Sequence, residues 1–241
     1  MKIDRYHFPI VDSTNVWAKA NVRYFKRDRI TVVTAGEQTA GRGRHNRVWI
    51  SPPDQNLYAT FCLFLPPRRR DFANVTQVVA VSAALELSRM GYSPSLKWPN
   101  DILIENAKVG GILGETTRID DEVCCLIGLG LNINMPPSAL ASLDRPATSL
   151  SIIAKQSLNL EEISDQISNA VCAGLKRFLK DGLPPFLENF RGLLVHQLGD
   201  TVRFHLGNVI VEGSFHSIND DGTLNLIIND DVKRIVSGEI A

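Results

Sequence analysis

Hydrophobic and polar positions divide the chain into two textures. Up to about residue 195 the periodic segments are long. "DSTNVWAKANVRYF" (12–25) reads as a helix start, with Asp12, Ser13 or Thr14 suited to the cap and Val16, Trp17, Ala20 and Tyr24 following at helical spacing. "ITVVTAGE" (30–37) is a β-branched run that fits a buried strand, and "NLYATFCLFL" (56–65) is strongly strand-like, ending at Pro66 and Pro67. Residues 71–90 carry the longest helical pattern, with Asp71 near its start and Gly91 just past its end. Three further β-like segments follow, separated by polar turns: "SLKW" (95–98), "ILIENAKVGGILGETTR" (102–118), which breaks at "ENAK", and "EVCCLIGLGLNI" (122–133). "PATSL" (146–150) offers Thr148 or Ser149 as the cap of helical patterns running to about residue 195. Hairpin-like turns outnumber regular βαβ crossovers, which predicts an α+β fold with a mixed, largely antiparallel sheet flanked by helices.

From about residue 199 short strands alternate with Gly, Asn and Asp turns. "DDGT" (220–223) and "NDDV" (229–232) are turn chemistry, and "LGN" (206–208) suits a hairpin tip. This stretch predicts a small, acidic β-barrel or sandwich packed on the larger unit. The expected division is therefore 1–195 and 196–241.

The 241 residues include 26 basic and 26 acidic side chains, so no overall field draws the molecule to nucleic acid or an anionic membrane; anion recognition has to be local. Cys62, Cys124, Cys125 and Cys172 lie in apolar stretches without metal-ligand spacing. Adjacent Cys124 and Cys125 would face opposite sides of a strand. Reduced, buried thiols in a cytoplasmic protein are expected. The N-terminal stretch lacks an apolar core of signal-peptide length, and "VCCLIGLGLNI" is too short to span a bilayer, so no membrane association is expected.

Five short stretches carry candidate chemistry. In "GRGRHNRVW" (41–49), Gly41 and Gly43 permit close backbone approach while Arg42, Arg44 and Arg47 supply planar donor forks for carboxylate or phosphate. A solvated basic hairpin, or a basic arm for RNA, fits the same residues. "KWPND" (97–101) gathers a cation, an aromatic ring, an amide and a carboxylate. Asp101 suits a hydrated Mg²⁺ and Asn100 a nucleotide oxygen, although a strand ending in a turn explains the stretch equally. "KVGGILGE" (108–115) puts Lys108 beside Gly110 and Gly111, as if a ligand lay on that strand, or else as a hairpin-edge lysine. "GLGLNIN" (128–134) repeats the theme with Gly128, Gly130 and Asn132; tight sheet packing is the alternative. The hydroxyls of "DSTN" (12–15) serve either as a helix cap or as partners for a polar head group.

Taken in order, "DSTN", "Q-T-A-G-R-G-R-x-x-R-x-W-x-S-P", "KWPND", "K-x-G-G-I-L-x-E" and "G-x-G-x-N" resemble the catalytic core of biotin protein ligases, with "PATSL" and the C-terminal β module also similar. The resemblance implies a sheet like that of class II aminoacyl-tRNA synthetases followed by an SH3-like barrel. It also implies a two-step reaction: biotin and ATP give biotinyl-5′-AMP, and a lysine of a biotin carboxyl carrier protein or domain, of acetyl-CoA carboxylase or a related carboxylase, then takes the biotinyl group. On this resemblance Ser13, Thr14, Asn15 and Gln38 match positions that bind the biotin head group. Gly41, Arg42, Gly43 and Arg44 match the loop closing over it, and Gly111, Gly128 and Gly130 the strands beneath. Arg44, Arg47, Trp49, Asn100, Asp101, Lys108 and Asn132 match nucleotide contacts, with Lys108 and Arg44 catalytic and Asp101 nearest Mg²⁺.

One departure is Asn46, where the family loop usually has glycine; asparagine tolerates the left-handed region better than other side chains. Because "DSTN" begins at residue 12, an N-terminal DNA-binding domain of the kind some relatives carry is not expected, nor is sequence-specific DNA binding. Homodimerisation remains open. The rival readings are a lipoate or octanoyl ligase or transferase, a non-catalytic biotin sensor, and nucleic-acid binding through the basic loop.

Overall fold

The computed structural model describes residues 1–241 except 67, 70, 142, 144, 207, 208, 237 and 241, and the backbone alone at 46, 205, 206, 209 and 239. Its first strand, β1 (Lys2–Val11), was not legible as one: it lies at the sheet edge, half of it faces solvent, and Pro9 interrupts it. A proline is tolerated there because an edge strand has one side free of partners. β1 pairs in parallel with β2 (Arg29–Gln38). Every later pairing in this sheet is antiparallel, through β3 (Leu57–Leu65), β4 (Pro94–Lys97), β5 (Asp101–Ile104), β6 (Ala107–Ile119) and β7 (Glu122–Leu131). The order across the sheet is β1-β2-β3-β7-β6-β5-β4. The expected mixed, largely antiparallel sheet is therefore present.

Two unequal layers cover it. On one face α2 (Val75–Arg89) packs with α5 (Leu160–Asp181) and α6 (Pro184–Leu193) over the principal core, which includes Phe61, Leu63, Val79, Ile127 and Phe178. The helix predicted over 71–90 begins as a short 3₁₀ turn at Phe72–Asn74, and Gly91 beyond its end has φ 91°. On the other face α1 (Thr14–Asn21) covers a small cluster of Ala18, Val33, Cys62, Phe64, Cys124 and Leu126. Cys124 and Cys125 indeed fall in opposite cores. All four thiols are free and buried; desolvation pushes Cys124 and Cys125 up to about 12 and Cys172 to about 11, which keeps them protonated and unreactive near neutrality.

Expectations about caps need correction. Ser13 and Ser149 occupy N-cap positions of α1 and of α4 (Leu150–Ala154), yet neither side chain bonds a helix N–H. Ser149 instead donates to the Met135 carbonyl at 2.8 Å. The face of α1 is also not the predicted one. Thr14, Asn15 and Ala18 are buried, while Ala20 and Tyr24 are exposed, Tyr24 by 75%. A polar helix end turned into the protein requires partners, and they define the site described below. A short helix, α3 (Pro137–Leu140), was not anticipated.

The C-terminal segment forms a second sheet, in the order β11-β10-β9-β8-β12, from β8 (Thr201–Leu206), β9 (Val209–Ile218), β10 (Leu224–Ile228), β11 (Asp231–Ile235) and β12 (Glu239–Ile240). The predicted "DDGT" turn has Gly222 at φ 78°, and "NDDV" has Asn229 and Asp230 at φ 52° and 64°, a pair suited to a tight hairpin. Residues 207 and 208 of the predicted tip at "LGN" lie outside the described residues, as does Pro67; β3 ends at Leu65, directly before Pro66, as expected. Val202, Phe204 and Phe215 continue the principal core into this sheet, and Phe204 meets Trp98 at 6.1 Å between ring centres.

Among the described residues no helix is long and apolar enough to cross a membrane.

Candidate active site

Alternation along β7 explains where a cleft opens. Cys124 and Leu126 point beneath α1, and the next two residues on that face are Gly128 and Gly130. Gly130 pairs with Tyr58 of β3 on one side and Gly111 of β6 on the other; Gly111 in turn pairs with Asp101. Beyond the end of α1 the sheet thus presents backbone in place of side chains. The resulting cleft has this glycine row as its floor.

At the α1 end Thr14, Asn15, Gln38 and Thr60 are bonded to one another or to their neighbours. Thr60, fully buried on β3, lies 2.6 Å from the Asn15 carbonyl oxygen and 2.8 Å from the Thr14 hydroxyl. The Thr14 hydroxyl donates its one proton to the Gln38 side-chain oxygen at 3.1 Å, and the single Thr60 proton goes to the Asn15 side-chain oxygen, the nearer of its two neighbours. The Gln38 side-chain oxygen accepts from the Thr14 N–H at 2.9 Å, and its amide donates to Ser51 at 3.0 Å. The Asn15 amide donates to Glu115 at 3.1 Å. Ser13, Thr14 and Asn15 are no more than 3% exposed. The result is a neutral, pre-ordered cluster of donors and acceptors.

The opposite end is cationic. Lys108 reaches the cleft because the β5–β6 ladder slips by one residue between Ile102 and Leu103, which re-aims it onto the Gly111 face. A Cβ placed on Gly111 would lie 3.0 Å from the Lys108 Cε. The ammonium bonds Asp101 at 2.6 Å and stands 5.5 Å from the ring centre of Trp49. The Trp49 indole lies flat against the floor, since a Cβ on Gly130 would come within 2.4 Å of it. Its buried Nε1 has no acceptor in the protein.

Arg42, Arg44 and Arg47 belong to a miniature hairpin. Arg42 bridges Val48, the Gly43 N–H bonds the Arg47 carbonyl at 2.8 Å, and the left-handed residue falls on His45 at φ 53°. The strain expected at Asn46 is therefore taken by its neighbour. Arg44 donates to Asn100 at 3.0 Å and to the Gly238 carbonyl of the second sheet at 2.8 Å. Five basic side chains, Arg145 among them, and the single carboxylate of Asp101 line the cleft among the described residues.

Of the residues singled out in the sequence, Ser13, Thr14, Asn15, Gln38, Arg42, Gly43, Arg44, Arg47, Trp49, Asn100, Asp101, Lys108, Gly111, Gly128, Gly130 and Asn132 all line this cleft. Gly41 does not. It sits at the base of the hairpin, where a Cβ would lie 2.4 Å from the Trp49 carbonyl. The glycines read as making room for a ligand make room first for protein: Gly130 for Trp49 and Gly128 for Asn15. Asn100 and Asn132 spend their amides on the Ile112 and Thr148 carbonyls, at 2.7 and 3.0 Å, which ties neighbouring segments together. Sequence reasoning passed over Tyr58, Met135, Leu140, Leu143 and Arg145, which also line the cleft. The two-sided bonding of Lys108 to Pro146 and Thr148 draws the 145–148 segment in; "PATSL" stood out in the sequence, but not as part of the cleft.

Mixed sheet, neutral polar end and cationic end together form a cleft with hydrogen-bonding groups at one end and positive charge at the other. Residues 7–132 match the Biotin/lipoate A/B protein ligase family, and the chain belongs to that family. It is 31% identical over 214 residues to the Bifunctional ligase/repressor BirA of Bacillus subtilis, covering 87% of this chain and 65% of that protein. It is 28% identical to the Biotin–[acetyl-CoA-carboxylase] ligase of Paracoccus denitrificans, covering 80% and 82% of the two chains. The biotin protein ligase of Aquifex aeolicus, solved in complex with biotin and ATP, superposes with a TM-score of 0.79 at 26% identity, over 99% of this chain and 97% of that one. The chain thus spans just under two thirds of the length of the Bacillus relative.

Proposed function

We propose that the protein activates biotin with ATP and transfers it to a lysine of a biotin carboxyl carrier protein or domain, such as that of acetyl-CoA carboxylase. The observation that carries this reading is the two-ended cleft. A ureido ring offers two N–H donors and a carbonyl acceptor, which the Ser13–Thr14–Asn15–Gln38 end can pair. Leaving such groups buried and unpaired would cost about 1–3 kcal/mol each. A dithiolane ring, as in lipoate, has no such groups to offer. The valerate chain then runs over the glycine floor and brings its carboxylate to Lys108 and the arginine hairpin.

A carboxylate oxygen attacks the α-phosphorus, the bond to the bridging oxygen of the β-phosphate breaks, and pyrophosphate leaves. Like charges oppose this approach, so fixed cations lower the barrier by neutralising charge as the five-coordinate centre forms. Lys108 and Arg44 take that role, and Arg47, Trp49, Asn100, Asp101 and Asn132 border the nucleotide. A neutral lysine amine of the carrier next attacks the acyl carbon, and AMP leaves. Among the described residues no cluster of three ligating side chains forms a metal cage. Asp101, already paired with Lys108, fits one ligand of a Mg²⁺ that arrives on the triphosphate, which such an ion suits. It would supply further charge neutralisation.

The finer assignments follow the same reading: a class II synthetase-like catalytic unit over 1–195, an SH3-like barrel over 196–241, a cytoplasmic location, and homodimerisation as an open property of the sheet edges. The test is mass spectrometry of a carboxyl carrier domain after incubation with the protein, ATP, Mg²⁺ and either biotin or lipoate. One biotinyl adduct at one lysine is expected; a lipoyl adduct in preference to it would overturn the assignment.

A further inference from the structure

Glu115 lies on β6 two residues beyond Leu113, on the cleft face, yet outside the cleft lining. Its carboxylate is mostly buried, with 19% of the side chain exposed, and its two oxygens divide their partners. Oε2 accepts from the Asn15 amide at 3.1 Å. Oε1 stands 3.8 Å from Arg42 Nη1 and 3.7 Å from Lys19 Nζ. One side chain therefore touches both the head-group cluster and the basic hairpin, and it does so from behind.

We propose that Glu115 is a positioning residue that couples the two ends of the cleft; the proposal rests on the functional reading above. Two consequences of the geometry support it. First, with Thr60 donating to its carbonyl oxygen and Glu115 accepting from its nitrogen, the Asn15 amide has one orientation, which fixes the polarity offered to a head group. Second, the hairpin is held at two separate points: Arg42 on Glu115, Arg44 on Asn100 and Gly238. Removing the Glu115 charge frees the first point alone. Lys19 shares the same oxygen from α1 but reaches neither the cleft nor the hairpin, so it serves as a control.

Glu115→Gln and Glu115→Ala separate the two functions. The glutamine keeps a carbonyl oxygen for Asn15 but no charge for Arg42. It should retain biotin affinity within about twofold while backbone amides of residues 42–49 in the ligand-free protein exchange with deuterium about tenfold faster, the signature of a locally loosened segment. The alanine loses both contacts and should also raise the biotin Kd by about tenfold, the scale of one hydrogen bond to a charged group, with the ATP KM much less changed. Lys19→Ala should leave exchange and binding as in the wild type. Unaltered hairpin exchange in Glu115→Gln would overturn the coupling even if the alanine variant does not fold. A parallel loss of biotin and ATP binding in folded Glu115→Ala would reduce Glu115 to general support. Absence of biotin binding by the wild type would instead sink the functional reading, while the exchange measurement on the ligand-free protein still decides the hairpin anchor.

Discussion

At one end of the cleft Thr14, Asn15 and Thr60 are buried and bonded to one another; at the other, Arg42 and Arg47 stand exposed on a hairpin. The first set sits on α1 and on the interior strand β3, both packed into the core. The second sits on a short hairpin closed by the Gly43 N–H to Arg47 carbonyl bond. A neutral ring has to be recognised by groups already in place, because an adaptable site would lose affinity to ordering entropy. In the proposed reaction the charge on the carboxylate and phosphates is met at the other end, by cations. Buried recognition and exposed charge are thus separated along one glycine floor.

Removing charge at the cationic end should have the largest effect. Lys108→Ala is expected to lower single-turnover adenylate formation by roughly 10²–10³, the scale for one preorganised stabilising donor, with biotin affinity much less affected. An unchanged rate would mean that Lys108 serves only as the partner of Asp101. Breaking the buried end should act on binding instead. Thr60→Val strips the hydroxyl from the middle of the cluster and leaves the Asn15 carbonyl unpaired. Biotin affinity should fall roughly 5- to 150-fold, the equivalent of about 1–3 kcal/mol, while the ATP KM stays constant in steady-state assays. Equal losses for both substrates would erase the distinction between the ends.

Gly130→Ala sharpens the boundary between them. The added methyl would collide with the Trp49 ring, so the indole has to leave the floor. A several-fold rise in the ATP KM and altered tryptophan emission are expected.

The smallest effect concerns neither end. His196 lies where the two sheets join, stacked on Phe215, and burial holds its pKa below the usual value, with Lys97 acting in the same direction. The unfolded chain therefore binds the proton more readily. Stability should be full above about pH 6.5, the ordinary histidine value, and decline as pH falls through the lower folded pKa. His196→Phe should flatten that acid limb of the melting temperature by a degree or two; an unchanged limb would mean other groups dominate.

Much of this was legible in the chain. The glycines of β6 and β7, the arginine hairpin and the polar "DSTN" each stand out because they contradict their surroundings: backbone where a strand should have side chains, cations without a helix, polar residues at a buried helix end. What escaped notice depends on tertiary register. Lys108 itself stood out in the sequence, but the one-residue slip in the β5–β6 ladder that brings it to the cleft is not encoded in local pattern. β1 was missed because an edge strand half in solvent lacks clear alternation. Tyr58 and the 145–148 segment enter the cleft by pairing with strands distant in sequence. Thr60 read as one more strand residue, since nothing local announces that it faces Thr14 and Asn15 across the core.

The central claim is that one cleft holds a neutral head group and neutralises the anion attached to it while that anion is adenylylated. Exchange of labelled pyrophosphate into ATP measures that step alone, without any acceptor protein. Exchange that requires biotin, ignores lipoate and nearly vanishes in Lys108→Ala is the expected result. Exchange that proceeds without biotin, or that lipoate supports better, would contradict the account.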